Sequence, residues 1–159
     1  MRAASLLAVA ALVVGGCGGD GGGDGVVERL PDVELEPLDG EGAALALADV
    51  SGPAVINLWA TWCAPCRREL PAFQEVSAAR PDVEFIGVDI GEDPVASQQF
   101  LTRLGVTFPQ FRDPNAELTD ALGVASLPVT LFVDAEQRVS PHVGPISSAE
   151  LEEALARLG

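Results

Sequence analysis

The sequence predicts an α/β domain, with a central mixed β-sheet flanked by helices, and three observations carry that prediction. The apolar run Ala54–Trp59, interrupted by Asn57, has the length and content of a central strand buried on both faces, and residues 83–90 read as the next buried strand. Each run is followed by a segment whose apolar residues fall at helical spacing: Leu70, Phe73 and Val76 after the first, Phe100, Leu101 and Leu104 after the second. Cys63 and Cys66 stand where the first run gives way to its helix.

The chain has 159 residues, a size that suits one domain, and 48% of them are hydrophobic, enough for a core. Net charge is −15, and all nine basic residues are Arg. A surface this acidic offers no footprint for nucleic acid. It is also repelled by anionic lipid, so any tie to a membrane has to be covalent or hydrophobic. The acidity reads either as plain solubility or as steering of a basic partner such as a cytochrome.

Taken in order, the elements are as follows. Residues 1–14 carry one Arg and then an almost unbroken apolar run, too short to span a bilayer but suited to the apolar region of an export signal. Val14-Gly15-Gly16-Cys17 resembles the bacterial lipobox, which implies a signal over residues 1–16 and a lipid on Cys17 as the new N-terminus. The rest of 17–25 is Gly and Asp with nothing to bury, a flexible tether, so the folded domain is expected over 26–159. Val33, Leu35 and Leu38 suggest a first short strand. Turn residues 39–42 follow, and Leu45 and Leu47 alternate in a second strand. After the strand Ala54–Trp59, a helix is expected over 66–80, kinked at Pro71. Beyond the strand at 83–90, Asp93-Pro94 starts a helix that Gly105 ends. Asp113-Pro114 opens a short helix through Leu118 and Leu122, closed by Gly123. Strands follow at 129–134 and 137–143. Ser147 and Glu150 form a capping box for a last helix that buries Leu151, Ala154, Leu155 and Leu158.

The pair Cys63 and Cys66 carries the chemistry. A strand that ends in Cys-x-x-Cys and turns into a helix is a redox device. The helix N-terminus offers unpaired N–H groups and a positive dipole end, both of which favour a thiolate at Cys63. The three-residue spacing lets the second sulfur reach back and resolve a mixed disulfide.

The tract Trp59-Ala60-Thr61-Trp62-Cys63-Ala64-Pro65-Cys66, with Glu69 and Pro71 after it, resembles the thioredoxin superfamily, most closely its exported, membrane-tethered TlpA/ResA/DsbE (CcmG-like) type. The resemblance runs from about Leu30 to the C-terminus. It implies a thioredoxin fold with an N-terminal hairpin that covers a sheet edge and a central helical insertion, which 93–111 is similar to. Two Phe in that insertion, Phe108 and Phe111, read either as a docking surface or as core. The resemblance implies that Cys63 attacks, that Cys66 resolves, and that Pro128 is a cis-proline presenting backbone to a substrate strand. It further implies substrate contacts from Trp62, Ala64, Pro65 and Leu127. In that type, the Glu matching Glu69 exchanges a proton with the second cysteine; the alternative is an ordinary acid in the first turns of a helix. Where thioredoxin has a buried Asp, this chain has Asn57, which does not titrate. It is read as a hydrogen-bonded buried amide or as a group that orients a water near Cys66. Arg67 and Arg68 either favour the Cys63 thiolate or solubilise the helix, and His142 is expected at the surface.

Other chemistries fit poorly. Haem attachment needs His after the second Cys, where Arg67 stands, and zinc or copper sites need further His, Cys or Met. No cofactor is expected beyond the Cys63–Cys66 disulfide, and no metal. The expected activity is therefore thiol–disulfide exchange, in the bacterial cell envelope on the outer side of the cytoplasmic membrane. The implied partners are protein disulfides, among them apocytochrome c, and a CcdA/DsbD-like membrane donor of reductant. The alternatives are a disulfide-forming oxidase and a non-enzymatic metal or cytochrome chaperone.

Overall fold

The computed structural model describes residues 29–91 and 93–158. The expected signal (1–16), Cys17, the whole Gly-rich tether (17–25) and residues 26–28 of the expected domain lie outside the described residues. The elements in chain order are β1 (Glu34–Pro37), β2 (Leu45–Ala46), β3 (Ala54–Trp59), α1 (Ala64–Ala79), β4 (Glu84–Asp89), α2 (Pro94–Leu104), β5 (Gln110–Arg112), α3 (Glu117–Leu122), β6 (Val129–Val133), β7 (Val139–Val143) and α4 (Ser148–Leu155). One seven-stranded sheet runs β2-β1-β5-β4-β3-β6-β7. β3, β4 and β5 are parallel, and β1, β6 and β7 join antiparallel, so the sheet is mixed as expected.

The period-2 alternation of the strands divides the core in two. Val55, Trp59, Phe85 and Phe132 face one layer with α1, α2 and α4; Ile56, Leu58, Ile86, Val88 and Leu131 face the other with Leu47 and Leu118. Asn57 shares the phase of Val55 and Trp59. It stands opposite Thr130 on one side and Gly87 on the other, a polar row within the α1 layer.

The N-terminal hairpin forms, and β1 pairs with β5, covering that edge of the parallel strands. Its second strand is only two residues long. Leu47, expected to continue it, instead starts a 3₁₀ turn (Leu47–Asp49), because its side chain is fully buried in the second layer. The central insertion is not helical throughout: after α2 the chain adds β5, parallel to β4. Phe108 is buried against Phe85, and half-buried Phe111 packs on the second layer, so both belong to the core and the docking reading is set aside. The helix expected from Asp113-Pro114 starts later, at Glu117. Asp113 still serves it, since its buried carboxylate accepts the Leu118 and Thr119 amides. Gly105 and Gly123 end α2 and α3 in the left-handed conformation that glycine adopts without a Cβ penalty.

Candidate active site

The site lies at the C-terminal ends of the parallel strands, where the chain leaves β3. Three residues separate Trp59 from Cys63, and Cys63 becomes the N-cap of α1, with Pro65 in the first turn. Cys63 Sγ accepts a hydrogen bond from the Cys66 amide at 3.2 Å, the position a Ser or Asp oxygen takes at an ordinary cap. This environment of amide hydrogens and helix dipole favours negative charge on that sulfur. Cys63 and Cys66 are joined, with Cα atoms 5.3 Å apart. Cys66 is fully buried, whereas Cys63 is 4% exposed.

α1 continues unbroken through Pro71, which lacks an N–H and leaves the Arg67 carbonyl without its helical donor. Glu69, one turn past Cys66 on the same helical face, is 4% exposed. Two groups hold it. Asn57 Nδ2 donates to Oε1 at 3.0 Å, and the Ile146 amide donates to Oε2 at 3.1 Å. Burial pushes the Glu69 carboxyl up from 4.5 to about 7, and these two hydrogen bonds restrain the rise. Asn57 Nδ2 also reaches Thr130 Oγ1 at 3.3 Å, while among the described residues its Oδ1 has no partner. Asn57 is thus a hydrogen-bonded buried amide whose partner is the acid on α1.

The Leu127–Pro128 peptide is cis. With Leu58 opposite Val129, Pro128 lies beside the end of β3, and its carbonyl accepts the Gly144 amide at 2.9 Å. Leu127 is half-buried and packs against both core layers. Trp62 is 69% exposed beside the disulfide, Ala64 is exposed and Pro65 half-buried. The structure therefore brings Trp62, Cys63, Ala64, Pro65, Cys66, Glu69, Leu127 and Pro128 to one end of the sheet; Cys17 is outside the described residues. His142 is partly exposed on β7, as expected, and contacts the Pro145 carbonyl at 3.5 Å. Arg67 stacks over the Phe100 ring, 5.8 Å from its centroid.

Sequence reasoning did not find Ile146, Thr130 or Asp89. Asp89, at the end of β4 and 1% exposed, accepts from Ser97 Oγ at 2.5 Å and the Gly91 amide at 2.9 Å; burial raises its pKa. One available signal was that Asn57 and Thr130 are lone polar residues inside apolar runs. The donor from Ile146, an amide 77 residues away, leaves no trace in side-chain identity.

A buried disulfide at a helix cap, with a carboxyl poised near neutrality one turn below, defines a thiol–disulfide oxidoreductase on a thioredoxin fold. Comparison with known proteins agrees. The AhpC/TSA family model matches residues 26–142, and the chain belongs to that family. The thiol-disulfide oxidoreductase ResA of Geobacillus thermodenitrificans is 33% identical over 134 residues, 82% of this chain and 76% of that protein. Among solved structures, MTB dsbF in its mixed oxidized and reduced forms superposes with a TM-score of 0.75 at 31% identity, over 80% of this chain and 96% of that one. The exposed lipoprotein thioredoxin Etrx1 of Streptococcus pneumoniae gives 0.68 at 25% identity, over 80% and 100%. Within the superfamily the chain is of the TlpA/ResA/DsbE type.

Proposed function

We propose that this protein reduces disulfides of partner proteins outside the cytoplasmic membrane, held there by a lipid on Cys17, with the Cys-x-x-Cys of apocytochrome c as a substrate. The observation that carries the reading is the position of Cys63 at the α1 N-cap, joined to a buried Cys66 with Glu69 one turn below. The location draws its support from the signal-like residues 1–16, the lipobox-like Cys17 and the likeness to an exposed lipoprotein thioredoxin.

In the reduced protein, the Cys63 thiolate attacks one sulfur of the partner disulfide. A Cys63–partner bond forms, and the other partner sulfur leaves as a thiolate that takes a proton from water. Cys66 then gives its proton to the Glu69 carboxylate and attacks Cys63 Sγ. The Cys63–Cys66 disulfide forms and the second partner thiolate leaves, so two electrons have passed to the partner. A carboxyl near 7 is divided between acid and base at neutral pH, which suits both taking that proton and returning it when the disulfide is re-reduced. A CcdA/DsbD-like membrane dithiol restores the reduced state. Trp62, Ala64 and Pro65 frame the attacked sulfur, and the backbone at Leu127 and Pro128 pairs with the substrate strand.

The test uses the reduced protein and an oxidised peptide carrying Cys-x-x-Cys-His. Cys63→Ser abolishes reduction of the peptide, and Cys66→Ser accumulates a mixed disulfide through Cys63, seen by mass spectrometry. Full turnover by Cys66→Ser removes the resolving role.

A further inference from the structure

The described residues include five ion pairs, and these employ Arg80, Arg112, Arg138 and Arg157. Among the described residues, Arg67, Arg68 and Arg103 have no carboxylate within ion-pair distance. All three line one groove of about 430 Å³ that begins at Thr61, two residues before Cys63, and runs between α1 and the Ala96-Phe100-Arg103-Leu104 face of α2. Among the described residues no carboxylate lines it, and the acid beside it is Asp93, whose Oδ1 accepts the Ala96 amide at the far end from Arg103. In a chain of net charge −15, three guanidinium groups that pair with no acid among the described residues, beside the redox centre, are a local reversal of sign.

The groove is continuous with the surface that a partner must touch. Among the described residues the large exposed apolar side chains are Trp62, Val95 and Val143. Trp62 precedes the attacking cysteine. Val95 lies in the first turn of α2, and Val143 pairs with Val129 next to Pro128. The topology puts all three at the end of the sheet where β3 and β4 finish. Exposed apolar side chains thus share that end of the sheet with the disulfide, and the basic groove lies between α1 and α2 beside them. Phe100 floors that groove and holds the Arg67 guanidinium over its ring.

We propose that this groove binds an acidic segment of the partner polypeptide, within a few residues of the cysteine that Cys63 attacks, and so selects among disulfide substrates. The inference rests on the thiol–disulfide exchange proposed above and names the substrate class that the same site prefers. From Ala96 to Leu104 the α2 face extends about 12 Å at 1.5 Å per residue, which four or so extended residues span. At about 0.1 M salt, charges act over roughly 10 Å. The three guanidinium groups then act on a docked segment and outnumber Asp93 at the groove's Ala96 end, while the acids on distant faces are screened. An exposed guanidinium–carboxylate pair is worth a factor of about two to five, so three of them give on the order of tenfold or more.

The experiment uses the full-length chain in detergent, reduced, with three disulfide peptides. Each carries one internal Cys-x-x-Cys bond followed by four Glu, four Gln or four Lys. Rates of oxidation of the protein are measured by thiol labelling. Each is divided by the rate of the same peptide with dithiothreitol, which cancels the effect of neighbouring charge on the peptide thiols. The expected Glu-to-Gln ratio is about ten in 0.1 M salt and falls toward one in 1 M salt. Arg68→Gln and Arg103→Gln each lower it about two- to fivefold, and Arg157→Gln, whose side chain pairs with Glu153 elsewhere, leaves the ratio unchanged. A change at Arg67 that merely alters Cys63 reactivity moves all three peptides together and not the ratio. Equal rates for Glu and Gln peptides, a preference for Lys, or a ratio insensitive to Arg68 and Arg103 overturns the groove. Failure of all three peptides to oxidise the protein, with Cys63 shown to be free, overturns the exchange reading itself.

Discussion

The two parallel strands at the centre of the sheet end in the same way and serve different purposes. β3 runs into α1 through a cap at Cys63, and β4 runs into α2 through a cap at Asp93; each helix has a proline in its first turn. Cys63 Sγ accepts one amide, from Cys66. Asp93 Oδ1 accepts two, from Val95 at 3.0 Å and Ala96 at 3.1 Å. Each junction also has a buried acid with a raised pKa, Glu69 at the first and Asp89 at the second. Asp89 is satisfied locally by Ser97 and Gly91, whereas Glu69 is held by groups 12 and 77 residues away. One backbone frame therefore carries an oxygen cap at one junction and, on the reading proposed above, a redox centre where a sulfur caps instead. The acid at the sulfur-capped junction is held by tertiary contacts rather than by the loop itself.

The largest effect that tests this contrast is the pH dependence carried by Glu69. Its folded pKa, about 7, lies above the ordinary 4.5, so the native state holds a proton that the unfolded chain has released across that interval. Stability contributed by the protonated form is complete below about pH 4.5 and is lost as pH rises through 7, on the order of 3 kcal/mol in all. Asp89, raised in the same direction, adds to the slope. Glu69→Gln flattens the dependence of denaturant midpoint on pH and removes the inflection near pH 7 from the exchange rate. If the stability curve flattens while the rate profile keeps its shape, Glu69 is no more than a second Asp89.

Asp89→Ala provides the converse. It strips the Ser97 hydroxyl and the Gly91 amide of a buried acceptor, a loss of about 1–3 kcal/mol by denaturant titration, with the rate of mixed-disulfide formation at Cys63 held within about twofold. A large fall in that rate with stability intact makes Asp89 part of the redox centre and dissolves the contrast. The smallest effect is expected from Asp93→Ala, about 1 kcal/mol for loss of an exposed cap, read as a shift in thermal midpoint and leaving the exchange kinetics alone.

Much of the molecule was legible before any coordinates because its signals are local. A thiol three residues before another at a strand-to-helix junction, Asp93 before Pro94, Gly105 and Gly123 after their helices, and the Ser147–Glu150 box all act within a turn or two of chain. The apolar run of β3 announces a central strand because both of its faces need cover. Where local patterning met tertiary demand, the pattern yielded. Leu47 alternates like a strand residue but turns away to fill the second layer, and the cap of α3 comes from Asp113, several residues upstream of the helix it serves.

By itself, the sequence determined where the sulfurs sit, which strand delivers them and which helix stabilises them, since each depends on neighbours within a few bonds. Only the tertiary structure decided that Glu69 is buried, that it shares its oxygens between Asn57 and the Ile146 amide, and that Arg67, Arg68 and Arg103 line one groove. The proton affinity of a carboxyl and the sign of a local field depend on what surrounds a group in space, and those surroundings come from segments far apart in the chain.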